Sequence, residues 1–334
     1  MEQLGIAIIG LRMGYGHFRN AQTLPGTKLA AVCDLDQDLL DQTQREFDVP
    51  FATTEFEAVL ERDDVHIVSI TTPDPMHHPQ TLAALEAGKH VLVEKPMALN
   101  VQECEDMVNA ARERNLKLMV AHVCRFYSFF EQVKIWSEDG TLGKPYYVET
   151  SYIHNYEDIP GVGDWRWDPE KRHPFVGGAC HAVDLARWLG GDVEEVHAYG
   201  NHFNIPQQKW EDHIIANVKF ANGAIGRIMN SSGCAHPYNI ECEVWGTNGS
   251  IAGDNTRDTA QLALRQTGYS KWLSYPKPTM AKAIASELSH FVDCIVEDKT
   301  PLIDGVDGAK TIATCWAVIE SIATGQPQKV RNDF

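Results

Sequence analysis

The sequence predicts an α/β protein of two domains: an N-terminal doubly wound parallel sheet, followed by an α+β domain with a large, mostly antiparallel sheet. Three observations carry this. The first 120 or so residues alternate short, uniformly apolar runs with helical stretches, the pattern of strands buried on both faces. A glycine-rich turn follows the first run directly. After about residue 122 longer runs of alternating polarity take over, joined by turn signals such as ANG and TNG, as in antiparallel strands with one exposed face. At 334 residues the chain has room for two cores, and the change of texture divides it into 1–121 and 122–334.

In the first part the strands are GIAIIG, KLAAVCD, VHIVSITTP, HVLVEKP and LKLMVAH. Between them DQDLLDQTQREF, HPQTLAALEAGK and NVQECEDMVNAARERN read as helices, the last with Asn100 as its cap and Glu103 three residues on. In the second part KPYYVETSYIH, VEEVHAYGNHF, DHIIANVKF, GAIGRIMNS and NIECEVWGT read as strands, and AKAIASELSHFVDCIVEDK and DGAKTIATCWAVIESIATG as closing helices. No internal repeat or low-complexity segment interrupts them.

The 29 basic against 46 acidic residues leave a net charge of −17, which argues against nucleic acid or an anionic membrane as partner and for a small molecule. No apolar run reaches the roughly 20 residues of a membrane span, and the start MEQLGIAIIG enters a strand at once. The eight cysteines are scattered without a CxxC pair, as expected of thiols in a reducing, cytoplasmic compartment, with neither a disulfide framework nor a metal site.

Three stretches carry chemistry. The turn IIGLRMGYGHF places Gly10, Leu11, Arg12 and Met13 where backbone amides and a helix N-terminus approach a pyrophosphate. It departs from GxGxxG: Arg12 and Tyr15 stand where glycines belong, and Gly14 and Gly16 follow instead. Asp34, ending the second strand, is a carboxylate for an adenosine ribose, and its charge repels a 2′-phosphate, which selects NAD over NADP. Glu94-Lys95-Pro96 follows a buried strand at the carboxyl edge of the sheet, with a proline that can set a tight turn, cis included. In VGGACHAVDLARWLGG two glycines strip the approach to His181. A histidine on a helix is by default structural, so the remaining residues must decide its role.

The residues TTP with His77 four positions after Pro73, AGKHVLVEKP, Arg125 after the fifth strand, TLGKPYYV, Trp165-Arg166 and GGACHAVDLARWL together resemble the glucose–fructose oxidoreductase/inositol dehydrogenase/MocA family of nicotinamide-dependent enzymes, over nearly the whole chain. The resemblance implies a Rossmann domain, a C-terminal domain whose large open sheet packs against another subunit in a homodimer or homotetramer, and a substrate cleft between the two. It implies oxidation or reduction of a secondary alcohol on a sugar, cyclitol or related polyol. It also implies that Thr71, Thr72, Pro73, His77 and Arg125 line the cofactor, that Glu94 and Lys95 lie near the nicotinamide ribose, and that His181 accepts the hydroxyl proton.

The chemistry agrees with those roles. Hydride leaving a carbinol carbon needs a base for the hydroxyl proton and a cation for the developing alkoxide, and His181 and Lys95 are the right types. His154, Tyr156, Trp165 and Arg166 offer stacking and hydrogen-bonding surfaces for a neutral polyhydroxylated ligand. One departure stands out: many family dehydrogenases have an aspartate four residues before this histidine, where this chain has Gly177. Asp184, one helical turn after His181, becomes the candidate to hold the imidazole or a substrate hydroxyl. Two other functions fit the same sequence. One is a glycoside-cleaving or isomerising enzyme that retains NAD and returns the hydride each cycle. The other is a nucleotide-binding regulatory protein, which predicts loss of the lysine or histidine that this chain keeps.

Overall fold

A computed structural model describes residues 3–156, 164–166, 168–267, 271–277 and 283–334. The chain forms two compact units. The first comprises residues 1–123 with 282–309 and the terminal Phe334, and the second residues 124–281 with 310–333.

In the first unit β1 (Leu4–Ile9), β2 (Thr27–Cys33), β3 (Ala52–Thr53), β4 (Ile67–Ile70), β5 (His90–Glu94) and β6 (Leu118–Ala121) form one sheet in the order β3-β2-β1-β4-β5-β6. All its pairings are parallel. Ile6 to Ile9 and Val91 to Val93 are buried, which explains their unbroken apolar runs. The helices α1 (Tyr15–Ala21), α2 (Gln37–Phe47), α3 (Phe56–Leu60), α4 (His77–Glu86) and α5 (Val101–Glu113) connect the strands. Side chains cap two of them. Asp36 accepts from the Leu39 N–H at 3.1 Å, and Asn100 accepts from the Glu103 N–H at 3.0 Å while Glu103 reaches back to the Leu99 N–H. The chain later returns to this unit, laying α8 (Ala283–Val296) against α1.

The second unit holds α6 (Ser128–Glu138), β7 (Pro145–Ile153), α7 (Cys180–Gly190), β8 (Val193–Asn201), β9 (His213–Phe220), β10 (Ile225–Ser231), β11 (Asn239–Gly246), β12 (Gly249–Asp254), β13 (Thr259–Leu264) and β14 (Leu273–Pro276). From residue 310 it takes in most of α9 (Gly305–Thr324), and then β15 (Gln328–Lys329). Its nine-stranded sheet runs β14-β13-β12-β11-β7-β10-β9-β8-β15, antiparallel throughout except where β7 meets β10. The nearly fully buried α7 packs on one face, where Thr150 Oγ1 donates to the Ala182 carbonyl at 2.9 Å. The opposite face carries Tyr147, Glu149, Arg227, Glu243 and Trp245, the polar and aromatic half of the alternation. Among the described residues no helix is long and apolar enough to cross a membrane.

In the first unit the chain leaves β1 for β2 on one side and reaches β4 on the other. The crevice at that switch point lies at the carboxyl ends of the strands, beside Gly10, Asp34 and Thr71. The turn there is closed by contact with β4: a Cβ on Gly14 would stand 2.2 Å from both the Gly10 carbonyl oxygen and Thr71 Oγ1. Gly14→Ala therefore forces backbone apart. It is expected to destabilise the protein by about 1–3 kcal/mol and to weaken NAD binding; thermal unfolding and an NAD titration check this, and wild-type values in both would contradict the crowding.

Candidate active site

At the edge of the first sheet the glycine turn is tied down by carboxylates. The Leu11 N–H donates to Asp34 Oδ2 at 2.7 Å, and the Asp36 N–H to Asp34 Oδ1 at 3.0 Å. Gly10 turns through a positive φ of 88°. Arg12 reaches Asp36 at 2.8 Å on the surface, and the Leu39 N–H, with Arg12 second, holds the Asp36 carboxyl below its usual range. Met13 is exposed. The bare backbone, the carboxylate at the end of β2 and the short helix entry fit the pyrophosphate and ribose of a dinucleotide.

The next two edge turns are held by side chains bound to backbone. Thr71 Oγ1 lies 2.8 Å from the Ile9 carbonyl oxygen and 2.6 Å from that of Gly10. Thr72, followed by Pro73, donates to Gln80 at 2.6 Å. The buried His77 sits with Nδ1 2.7 Å from the Pro96 carbonyl oxygen and Nε2 2.9 Å from that of Thr72. It thereby joins the turn after β4 to the turn after β5, where the Lys95–Pro96 peptide is cis. Thr71 and His77, expected along the cofactor, thus build the backbone edge itself. Glu94 accepts the Lys95 N–H at 3.0 Å and lies 3.4 Å from His17 Nε2, while His17 Nδ1 is 3.1 Å from Ser69 Oγ. Sequence reasoning missed His17, although it stands within the quoted turn; a histidine on the inner side of the first helix was its signal. Lys95 is half-buried, and among the described residues no carboxylate pairs with its ammonium.

In the second unit a π-helical turn, Phe175–Ala179, delivers the chain into α7, and such turns mark functional sites. His181 is only 6% exposed. Its Nδ1 faces Cys124 Sγ at 3.6 Å, and its ring stacks on Tyr152 with centroids 5.5 Å apart. Tyr152 Oη is 3.1 Å from His154 Nδ1, and the His154 ring lies 4.7 Å from Tyr238 and 5.4 Å from Tyr156. Burial pushes the Tyr152 phenol well up, so it remains a protonated donor. The structure brings the expected His154 and Tyr156 together with His181 and adds Tyr152 and Tyr238. Trp165 lies beneath two guanidinium groups, Arg166 at 5.2 Å and Arg172 at 5.6 Å. Residues 157–163 and 167 of the same stretch lie outside the described residues.

Arg172, which the sequence did not single out, explains Gly177. A Cβ at Gly177 would stand 2.1 Å from Arg172 Nε, so the guanidinium fills the space an aspartate would take. At Gly178 a Cβ would meet Tyr156 Oη at 1.7 Å. The two glycines let Arg172 and Tyr156 press against the turn.

Asp184 is placed differently from the sequence expectation. Its carboxylate accepts from Arg125 Nε at 3.0 Å and from Nη2 at 2.6 Å, with both residues buried. The group proposed to hold the imidazole and the arginine expected at the cofactor hold each other, and Cys124 is what faces His181 Nδ1.

Residues 4–122 match the family model for the NAD-binding Rossmann fold of the GFO/IDH/MocA oxidoreductases, and residues 130–252 match that for the GFO/IDH/MocA C-terminal domain. The chain belongs to the GFO/IDH/MocA oxidoreductase family. Within the family it is 28% identical over 333 residues to scyllo-inositol 2-dehydrogenase (NAD(+)) of Bacillus subtilis, covering 98% of this chain and 96% of that protein. It is 27% identical to myo-inositol 2-dehydrogenase of Thermotoga maritima, covering 95% and 96%. In fold it is similar to levoglucosan dehydrogenase in complex with NADH, with a TM-score of 0.90 over 99% of this chain and 100% of that one at 24% identity.

Two predictions follow from the second unit of this family member. Gly177→Asp is expected to lower stability, and Arg172→Ala in the same chain to recover part of the loss. A double-mutant cycle should give a coupling of about 0.5–3 kcal/mol; additive effects would contradict the shared space. His173, stacked on Trp210 at 4.8 Å, is pushed down to about 4 by burial. The unfolded chain binds more protons between that value and the usual one near 6.5, so the folded protein loses roughly 3 kcal/mol as pH falls through this window. Stability curves of wild type and His173→Gln should therefore differ in slope between pH 6.5 and 4, and parallel curves would refute the assignment.

Proposed function

We propose that this chain is an NAD-dependent oxidoreductase that moves hydride between a secondary alcohol of a sugar, cyclitol or related polyol and the nicotinamide. The observation that carries the reading is His181: a buried imidazole at the head of α7, with one ring nitrogen turned to Cys124 and its face on Tyr152. The names of the inositol dehydrogenase relatives support the substrate class.

A bound nicotinamide would supply the acceptor for the hydride of the carbinol carbon. The chain's residues manage the proton and the charge. With Nδ1 turned to Cys124, proton transfer falls to His181 Nε2, which accepts the hydroxyl proton in oxidation and returns it in reduction. Lys95 steadies the negative charge that develops on the oxygen. Tyr152, His154, Tyr156 and Tyr238, with Trp165 and Arg166, offer donors and faces to the remaining hydroxyls. At the ribose Asp34 favours NAD, because a 2′-phosphate would meet its charge, and Arg12 is already engaged by Asp36.

The open face of the large sheet, with Trp245 and Tyr199 exposed, supports association into a homodimer or homotetramer. Seven of the eight cysteines are buried and, among the described residues, none is in a disulfide, which supports a reducing cytoplasmic location.

The test is NADH formation across inositols, sugars, sugar acids and glycosides. Net NADH with a neutral polyol, NAD bound more tightly than NADP, and turnover lowered about 10²–10⁴-fold by His181→Ala with NAD affinity retained are the expected results. Substrate conversion without net NADH would favour the NAD-retaining alternative, and near-normal turnover in His181→Ala would return this histidine to a structural role.

A further inference from the structure

We infer that Cys124 is the positioning residue behind His181: its sulfur accepts the Nδ1 proton and so keeps the Nε2 lone pair available. The inference rests on the reading of His181 as the base. A histidine that takes a proton at Nε2 must carry its resting proton on Nδ1, and something must hold that proton in place. A carboxylate commonly does so, but positions 177 and 184 on this turn and helix do not supply one. Gly177 has no side chain and its space holds the Arg172 guanidinium. Asp184 is engaged through both oxygens by Arg125.

The Cys124 sulfur lies 3.6 Å from Nδ1 and is fully buried, and a thiol is a weak but real acceptor. Its placement is enforced. Cys124 and Arg125 are consecutive, and they grip His181 and Asp184, which lie three apart on one face of α7. The bidentate ion pair fixes the register of the turn against the helix, and the stacked Tyr152 fixes the plane of the ring from β7.

A neutral sulfur differs from a carboxylate in one consequence. It orients the imidazole without a charge that would stabilise imidazolium, so the base stays unprotonated to lower pH than it would with an acid behind it. Among the described residues, the other titratable and charged groups around the ring include the Tyr152 phenol, held protonated by burial, His154 and Tyr238 against Tyr152, Cys180 next in the chain, the Arg125–Asp184 pair and, through Tyr152, Arg172.

The test uses the full-length, NAD-saturated chain with ¹⁵N-labelled histidine, the His181 signals being identified by their loss in His181→Ala. Wild type and Cys124→Ser should show the proton on Nδ1 at neutral pH, and Cys124→Ala a shift toward the Nε2–H form. Cys124→Asp should move the acid limb of the rate profile up by about one pH unit or more, with the polyol that gives the fastest NADH formation. Loss of turnover in His181→Ala together with an unchanged tautomer in Cys124→Ala overturns the positioning role alone. Intact turnover in His181→Ala overturns the base assignment beneath it.

Discussion

The buried ion pair between Arg125 and Asp184 is the contact on which the placement of α7 and His181 depends. Taking two charges out of water costs several kcal/mol per ion, and the fork geometry at 2.6 and 3.0 Å restores most of it, so the pair adds little net stability while intact. Its importance is register. Removing one partner would strand the other charge at a cost of about 3–5 kcal/mol, so the turn at 123–126 and α7 are held in one alignment. That alignment sets Cys124 against His181, and the stack on Tyr152 then leaves the imidazole little freedom.

Both halves of the chain achieve precision by giving up side chains where backbone or a neighbour must come close. In the first unit Gly14 lets the turn close on Thr71, whose hydroxyl reaches the Gly10 carbonyl oxygen, and His77 bridges the carbonyl oxygens of Thr72 and Pro96 at the sheet edge. In the second Gly177 and Gly178 admit Arg172 and Tyr156 against the π-helical turn. The bare backbone at Gly177 and the Arg172 guanidinium therefore share one space beside the turn that leads into His181.

Much of this was legible in the sequence because burial on both faces of a parallel sheet leaves uninterrupted apolar runs, and because an edge carboxylate and a glycine turn occur at fixed places relative to those runs. The positions of Asp34 and Lys95 at the ends of β2 and β5 follow from those runs, and Asn100 caps α5 as its spacing to Glu103 predicts. What escaped depends on contacts between residues distant in the chain. Cys124 reads as one more buried thiol until the fold sets it beside His181, and Tyr152 and Tyr238 read as strand residues until their rings converge on His154. Asp184 shows the limit of helical spacing: a position one turn away shares a face with His181, but an arginine 59 residues earlier claims its charge. The return of residues 282–309 to the first unit was equally hidden, because an amphipathic helix records that it packs and not against what.

The central claim is that hydride passes from a carbinol carbon to the nicotinamide while the hydroxyl proton leaves through the protein. The most direct measurement follows the label: a polyol substrate carrying deuterium on the oxidised carbon, turned over with NAD and read by NMR of both products. The account predicts deuterium at C4 of the NADH formed, on one face of the ring, with none in the solvent. Deuterium released to water, or left in a converted product beside unreduced NAD, would contradict it.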